Sequence, residues 1–138
     1  MNKVRINLST EKRRVLLIDD ERDVTESLSV NLEATGEFSV RSVNDPRQAI
    51  ATAREFEPHV IVLDVVMPGM DGGDVQAAIR RDPKLKDTPI VMVTALLSGN
   101  EVGDGSVESD GVHMLAKPVR LEKLVTLLRA QPSAEGAS

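Results

Sequence analysis

Three times along the chain, four consecutive apolar residues stop on a polar group. Val15, Leu16, Leu17 and Ile18 run into Asp19 and Asp20; Val60, Ile61, Val62 and Leu63 run into Asp64; Ile90, Val91, Met92 and Val93 run into Thr94. A run with no polar alternation has no face to show water, so each reads as a strand buried on both sides, the kind parallel sheets hold at their centre. After Asp64, Pro68, Gly69 and Gly72 force a loop, because proline cannot donate to a ladder and glycine permits a tight turn. Two weaker strands complete the set. Phe38, Val40 and Val43 form a short extended piece, and Val112 to Leu115 form a last run that ends near Lys117 and Pro118.

Helical spacing fills the gaps. Val24, Leu28 and Leu32 mark a helix that Gly36 stops, and Asn44, Asp45 and Pro46 start a second that carries Ala49, Ile50 and Ala53 and ends at Pro58. Val75, Ala78 and Ile79 mark a third, and Leu121, Leu124, Val125 and Leu128 the last. Residues 96–111 hold four glycines and several acids, so a fourth helix there is expected to be short or weak. Alternating strand and helix predicts an α/β fold, a doubly wound five-stranded parallel sheet with helices on both faces.

Length and charge narrow the function. At 138 residues the chain reads as one domain over 14–131, with a lead-in over 1–13 and a tail over 132–138. The formal net charge is −5 and the 17 Lys and Arg are scattered, which predicts neither direct nucleic-acid binding nor a membrane patch. With no cysteine there is no disulfide or thiolate metal site. Apolar runs are too short to span a bilayer and the amino terminus lacks the apolar stretch of a signal peptide, so a soluble cytoplasmic protein is expected. Phe38 and Phe56 are the only aromatics, which argues against recognition by base stacking.

A parallel sheet puts the carboxyl ends of its strands at one edge, where open α/β sheets hold their ligands. Asp19, Asp20, Asp64, Thr94 and Lys117 would therefore converge. Two carboxylates 4 Å apart repel by about 4 kcal/mol at an effective dielectric near 20, so the cluster calls for a cation. A hard divalent ion, Mg²⁺, suits a few carboxylate oxygens with water and an incoming phosphate. The lysine offers a point charge for phosphoryl oxygens, the threonine a hydroxyl donor, and Asp64 a nucleophile able to form an acyl phosphate. Singly, each residue has a plainer use: Asp19 and Asp20 suit a helix start, the Pro-Gly stretch a turn, Thr94 a strand, Lys117 a solvated surface. Helix caps and turns do not explain all of them together at several strand ends. His59 and His113 are isolated and read as structural.

These residues resemble the receiver domain of two-component response regulators. The likeness rests on the acid pair Asp19 and Asp20, on Asp64 followed by MPGMDG, on Thr94 with Ala95, and on Lys117 with Pro118, and it covers residues 14 to 131. It implies a flavodoxin-like, CheY-like three-layer sandwich of strand order 2-1-3-4-5. It also implies that Asp64 takes a phosphoryl group from a histidine kinase or histidine phosphotransfer protein, and that the chain signals through contacts with a downstream protein. The domain would catalyse its own phosphorylation and slow dephosphorylation rather than turn over as a conventional enzyme. Mg²⁺ would be held by Asp20 and Asp64, by Asp19 through water and by the Val66 carbonyl, with Thr94 and Lys117 on the phosphoryl oxygens.

Departures from the family pattern shape the expectations too. Met114 stands where receivers carry Tyr or Phe, which questions the coupling of Thr94 to the output surface. Val66 and Leu96, two places after Asp64 and Thr94, resemble the slow class, since apolar side chains cannot orient a hydrolytic water; a long-lived acyl phosphate is expected. The competing readings are a receiver-fold scaffold that works without phosphorylation and a small phosphatase. Val65 and Val66 argue against the phosphatase, whose second acid would follow its nucleophile by two residues.

Overall fold

The computed structural model describes residues 12–67, 72–95, 106–109 and 112–131. The apolar runs form strands β1 (Arg13–Ile18), β2 (Phe38–Val43), β3 (Val60–Asp64) and β4 (Ile90–Thr94), followed by β5 (Ser106–Ser109) and β6 (Val112–Ala116). Helices α1 (Arg22–Ala34), α2 (Ala49–Phe56), α3 (Gly72–Arg81) and α4 (Leu121–Ala130) lie between and after them. The sheet order is β2-β1-β3-β4-β6-β5. Its first five members are parallel and, with β6 counted as the fifth, follow the expected order 2-1-3-4-5.

The sixth strand is an addition. β5 pairs antiparallel with β6, Ser106 opposite Leu115 and Ser109 opposite Val112, so the described part of the stretch expected to hold a weak fourth helix is sheet. Four residues, three of them polar, are too short and too hydrophilic for periodicity to reveal. Residues 96–105 and 110–111, the rest of that stretch, lie outside the described residues.

Period-two alternation divides the core between the faces. Val15 and Leu17 point to one side with Leu32 of α1 and Leu124 and Leu128 of α4. Leu16 and Ile18 point to the other with Ala53 of α2 and Val75 and Ile79 of α3. Each such fully buried aliphatic side chain contributes about 1.5–3 kcal/mol. Met114 is half-buried, sits beside Met92 in the ladder and packs on the α2 and α3 face.

Element ends follow local chemistry. Gly36 takes φ +83° and its N–H bonds the Glu33 carbonyl at 3.0 Å, closing α1 as a left-handed glycine does. Asp45 accepts the Arg47 N–H at 3.0 Å and opens the 3₁₀ turn Pro46–Gln48 that leads into α2. Buried His59 locks the start of β3 to β1, its Nδ1 accepting the Arg14 N–H at 2.9 Å. Arg13, the first residue of β1, donates from Nη1 to the carbonyls of Leu128 (2.5 Å) and Gln131 (2.6 Å), tying the end of α4 to the first strand. Among the described residues no helix is long and apolar enough to cross a membrane.

Candidate functional site

Because β1, β3 and β4 are parallel neighbours, their terminal polar groups emerge side by side. Asp19 follows Ile18, Asp64 ends β3 and pairs with Val93, and Thr94 is the next residue along β4. Carboxylate oxygens of Asp19, Asp20 and Asp64 lie within 4.8 Å of one another. Asp19 and Asp64 are buried and Asp20 is half-buried. Lys117 enters from the end of β6, its backbone N–H extending the ladder to the Thr94 carbonyl at 2.9 Å. Its ammonium lies 3.1 Å from Asp19 Oδ2 and 3.5 Å from Asp64 Oδ1. The structure thus brings together Asp19, Asp20, Asp64 and Lys117, and sets the wholly buried Thr94 at the same sheet edge.

The local chain holds these groups in place. Asp19 Oδ1 accepts the Glu21 N–H at 2.9 Å, so the strand end folds back on itself. Asn44 donates to the Asp19 carbonyl (2.8 Å) and to Thr25 Oγ1 (3.0 Å), fixing that turn from the β2 side. Asp64 Oδ1 accepts a long bond from the Val66 N–H, 3.4 Å. The Gly72 N–H meets the Val65 carbonyl at 2.6 Å, and a Cβ on Gly72 would sit 2.6 Å from the Asp64 carbonyl oxygen. Only a residue without a side chain lets α3 start this close to the acid.

Electrostatics mark Asp64 as the frustrated member. Burial, and then the Asp19 carboxylate, push its carboxyl from 3.8 up to about 6, although Lys117 and the Val66 N–H pull the other way. Lys117 moves upward: burial works against its charge, but bonds to Asp19 and Glu21 and the charges of Asp19 and Asp64 outweigh it. One ammonium serves three neighbouring carboxylates, so the site retains an appetite for positive charge. The donors are hard oxygens, which fits Mg²⁺ and not a soft transition ion. Asp19, Asp20 and Asp64 are the side chains that could hold it.

Glu21 and Asn44 are site residues that patterning passed over. Glu21 reads as one more acid at a helix start, yet its Oε1 lies 3.1 Å from Lys117 Nζ. Asn44 reads as a turn residue, yet it braces Asp19. Val66, two residues after Asp64, is 57% exposed, while Leu96 and residues 68–71 lie outside the described residues.

The family model of the response regulator receiver domain matches residues 15–129. The chain belongs to that family. This receiver is 34% identical over 124 residues to the DNA-binding response regulator MtrA of Mycobacterium tuberculosis, covering 90% of the chain and 52% of the relative. It is 33% identical over 117 residues to the transcriptional regulator RpaA of Synechocystis, covering 85% and 48%. The receiver spans about half the length of the curated relatives it matches. Among solved structures, the chemotaxis protein CheY4 of Vibrio cholerae superposes with a TM-score of 0.73 at 31% identity, over 87% of this chain and 98% of that one. A putative response regulator from Chloroflexus aurantiacus gives 0.71 at 28%, over 86% and 96%. The fold is flavodoxin-like and the receiver is a component of two-component signalling.

Proposed function

We propose that Asp64 is the phosphoryl acceptor of this receiver, with Thr94 and Lys117 as its catalytic partners. The observation that carries this is the convergence of Asp19, Asp20 and Asp64 within 4.8 Å of one another, with Lys117 against Asp19 and Asp64. A carboxylate raised to about 6 is a better nucleophile than a free one, yet ionised at neutral pH. Its oxygen bonds to phosphorus while the donor's phosphorus–nitrogen bond breaks and the leaving imidazole takes the electron pair. Lys117 is placed to compensate the phosphoryl charge, and the Thr94 hydroxyl to donate to a phosphoryl oxygen. When bound, Mg²⁺ would neutralise the acids and draw charge from the phosphoryl oxygens, held by Asp19, Asp20, Asp64 and the Val66 carbonyl.

The donor is a histidine kinase or histidine phosphotransfer protein. A groove of about 290 Å³ opens beside Lys117 between α1 and the β6–α4 connection, lined by Val24, Leu28, Pro118 and Val119, and supports docking of a helical donor. The net charge of −5 argues against direct DNA contact by this receiver, and its output runs through protein contacts. Incubation with acetyl phosphate and Mg²⁺, followed by intact mass, tests this. A phosphoryl adduct is expected in the wild type and none in Asp64→Asn.

Met114 favours a second reading, a scaffold that signals without phosphorylation. Its flexible side chain packs into the core beside Met92 where the family has a ring. Absence of any adduct, from small donors or from phosphorylated histidine proteins, would select the scaffold.

A further inference from the structure

Two of the three carboxylates that Lys117 touches lie closer than Asp64. Its Nζ is 3.1 Å from Asp19 and 3.1 Å from Glu21, against 3.5 Å from Asp64. Asp19 is a buried fixture of the strand end, whereas the Glu21 side chain is 59% exposed. Glu21 is also the N-cap of α1, and its side chain accepts no capping hydrogen bond there. An acid at that position ordinarily serves the free N–H groups of the first turn. This one reaches away, across to the β6–α4 connection. An ammonium has three donors, so with one on Glu21 and one on Asp19, a single donor remains for Asp64 or for anything attached to it.

We infer that Glu21 is a positioning residue that tethers Lys117 in a resting place, and that the tether opens before the ammonium serves a phosphoryl group. The inference rests on the phosphoryl-acceptor reading above. With acetyl phosphate as donor, an Asp64 oxygen bonds to phosphorus as the bond to the acetyl oxygen breaks and acetate leaves with the electron pair. Lys117 helps only when it faces the phosphoryl oxygens, and the bond to Glu21 competes with that. An exposed ion pair of this kind sets the competition at about two- to fivefold. Glu21 acts through the lysine, which its carboxylate meets at 3.1 Å.

The test uses the full chain, acetyl phosphate at saturating Mg²⁺, and the rate of adduct formation by intact mass. Glu21→Ala, which loses no cap, is expected to accept the phosphoryl group about two- to fivefold faster than the wild type. Glu21→Gln, which keeps an acceptor without the charge, falls between. Glu26→Ala removes one acid from the exposed face of α1 and keeps the wild-type rate. Glu21→Ala at the wild-type rate or slower, or Glu26→Ala equally accelerated, overturns the tether. A second readout needs no phosphorylation: nitrogen relaxation of the Lys117 ammonium reports greater mobility in Glu21→Ala, and unchanged mobility overturns the inference. A freed ammonium with no adduct in any variant sinks the acceptor reading while the tether stands.

Discussion

Replacing Asp64 with Asn is expected to stabilise the metal-free protein at neutral pH, although it removes the proposed acceptor. The carboxyl sits near 6 instead of 3.8 because it is buried beside Asp19. About two pH units at about 1.4 kcal/mol each make the ionised form cost about 3 kcal/mol relative to the unfolded chain. Below 3.8 both states hold the proton and Asp64 contributes nothing. Between 3.8 and about 6 the unfolded chain ionises first, so stability falls as pH rises; above about 6 the penalty is constant. The amide carries no such penalty, and Lys117 keeps Asp19 and Glu21 as partners, so the substitution strands no charge. Urea unfolding without divalent ions should show the two proteins level at acid pH and the variant ahead by about 2–3 kcal/mol at neutral pH. In a melting experiment that is about 6–10 °C for a chain of this size. Added Mg²⁺ is expected to close the gap, by about 2.7 kcal/mol at one hundred times its dissociation constant. A variant equal to or weaker than the wild type at neutral pH without metal would refute the reasoning.

Other perturbations separate the parts of the site. Gly72→Ala drives a Cβ to 2.6 Å from backbone atoms of Asp64 and Val65, and urea unfolding should show a loss of about 2–3 kcal/mol. Gly36→Ala meets nothing within 4 Å and carries only left-handed strain, so its loss is expected to be about 1 kcal/mol. Asn44→Ala removes the brace on Asp19 and is expected to lose about 1–2 kcal/mol by the same measurement, with weaker Mg²⁺ binding by calorimetry. Val66, two residues after Asp64, is exposed and its side chain offers water no hydrogen bond, so radiolabel should leave the phosphoprotein over minutes to hours. Loss within seconds would overturn that expectation.

The sheet was legible because its central strands are buried on both faces, which leaves an unbroken apolar run that only an edge or a loop can end. Asp19, Asp64 and Thr94 stood out together: each has a plain use alone, but helix caps and turns do not explain polar groups ending three such runs at one sheet edge. Glu21 did not, since an acid before a helix has its plain use there, and only the structure shows its side chain turned elsewhere. Asn44 was hidden by a second role as part of a turn signal. β5 escaped because its four residues carry no period, though Asp110 and Gly111, between it and β6, form a dipeptide favoured in hairpins. Gly72 looked like turn punctuation; its use is the room it leaves beside Asp64.

The Arg13 clamp has a mechanical consequence. α4 starts near the acids and ends about 15 Å away, where Arg13 pins the Leu128 and Gln131 carbonyls to the opening residue of the sheet. Drawing α4 lengthwise toward the acids would break both of these bonds. Residues joined after Gln131 depart from the end of α4 that Arg13 anchors to β1.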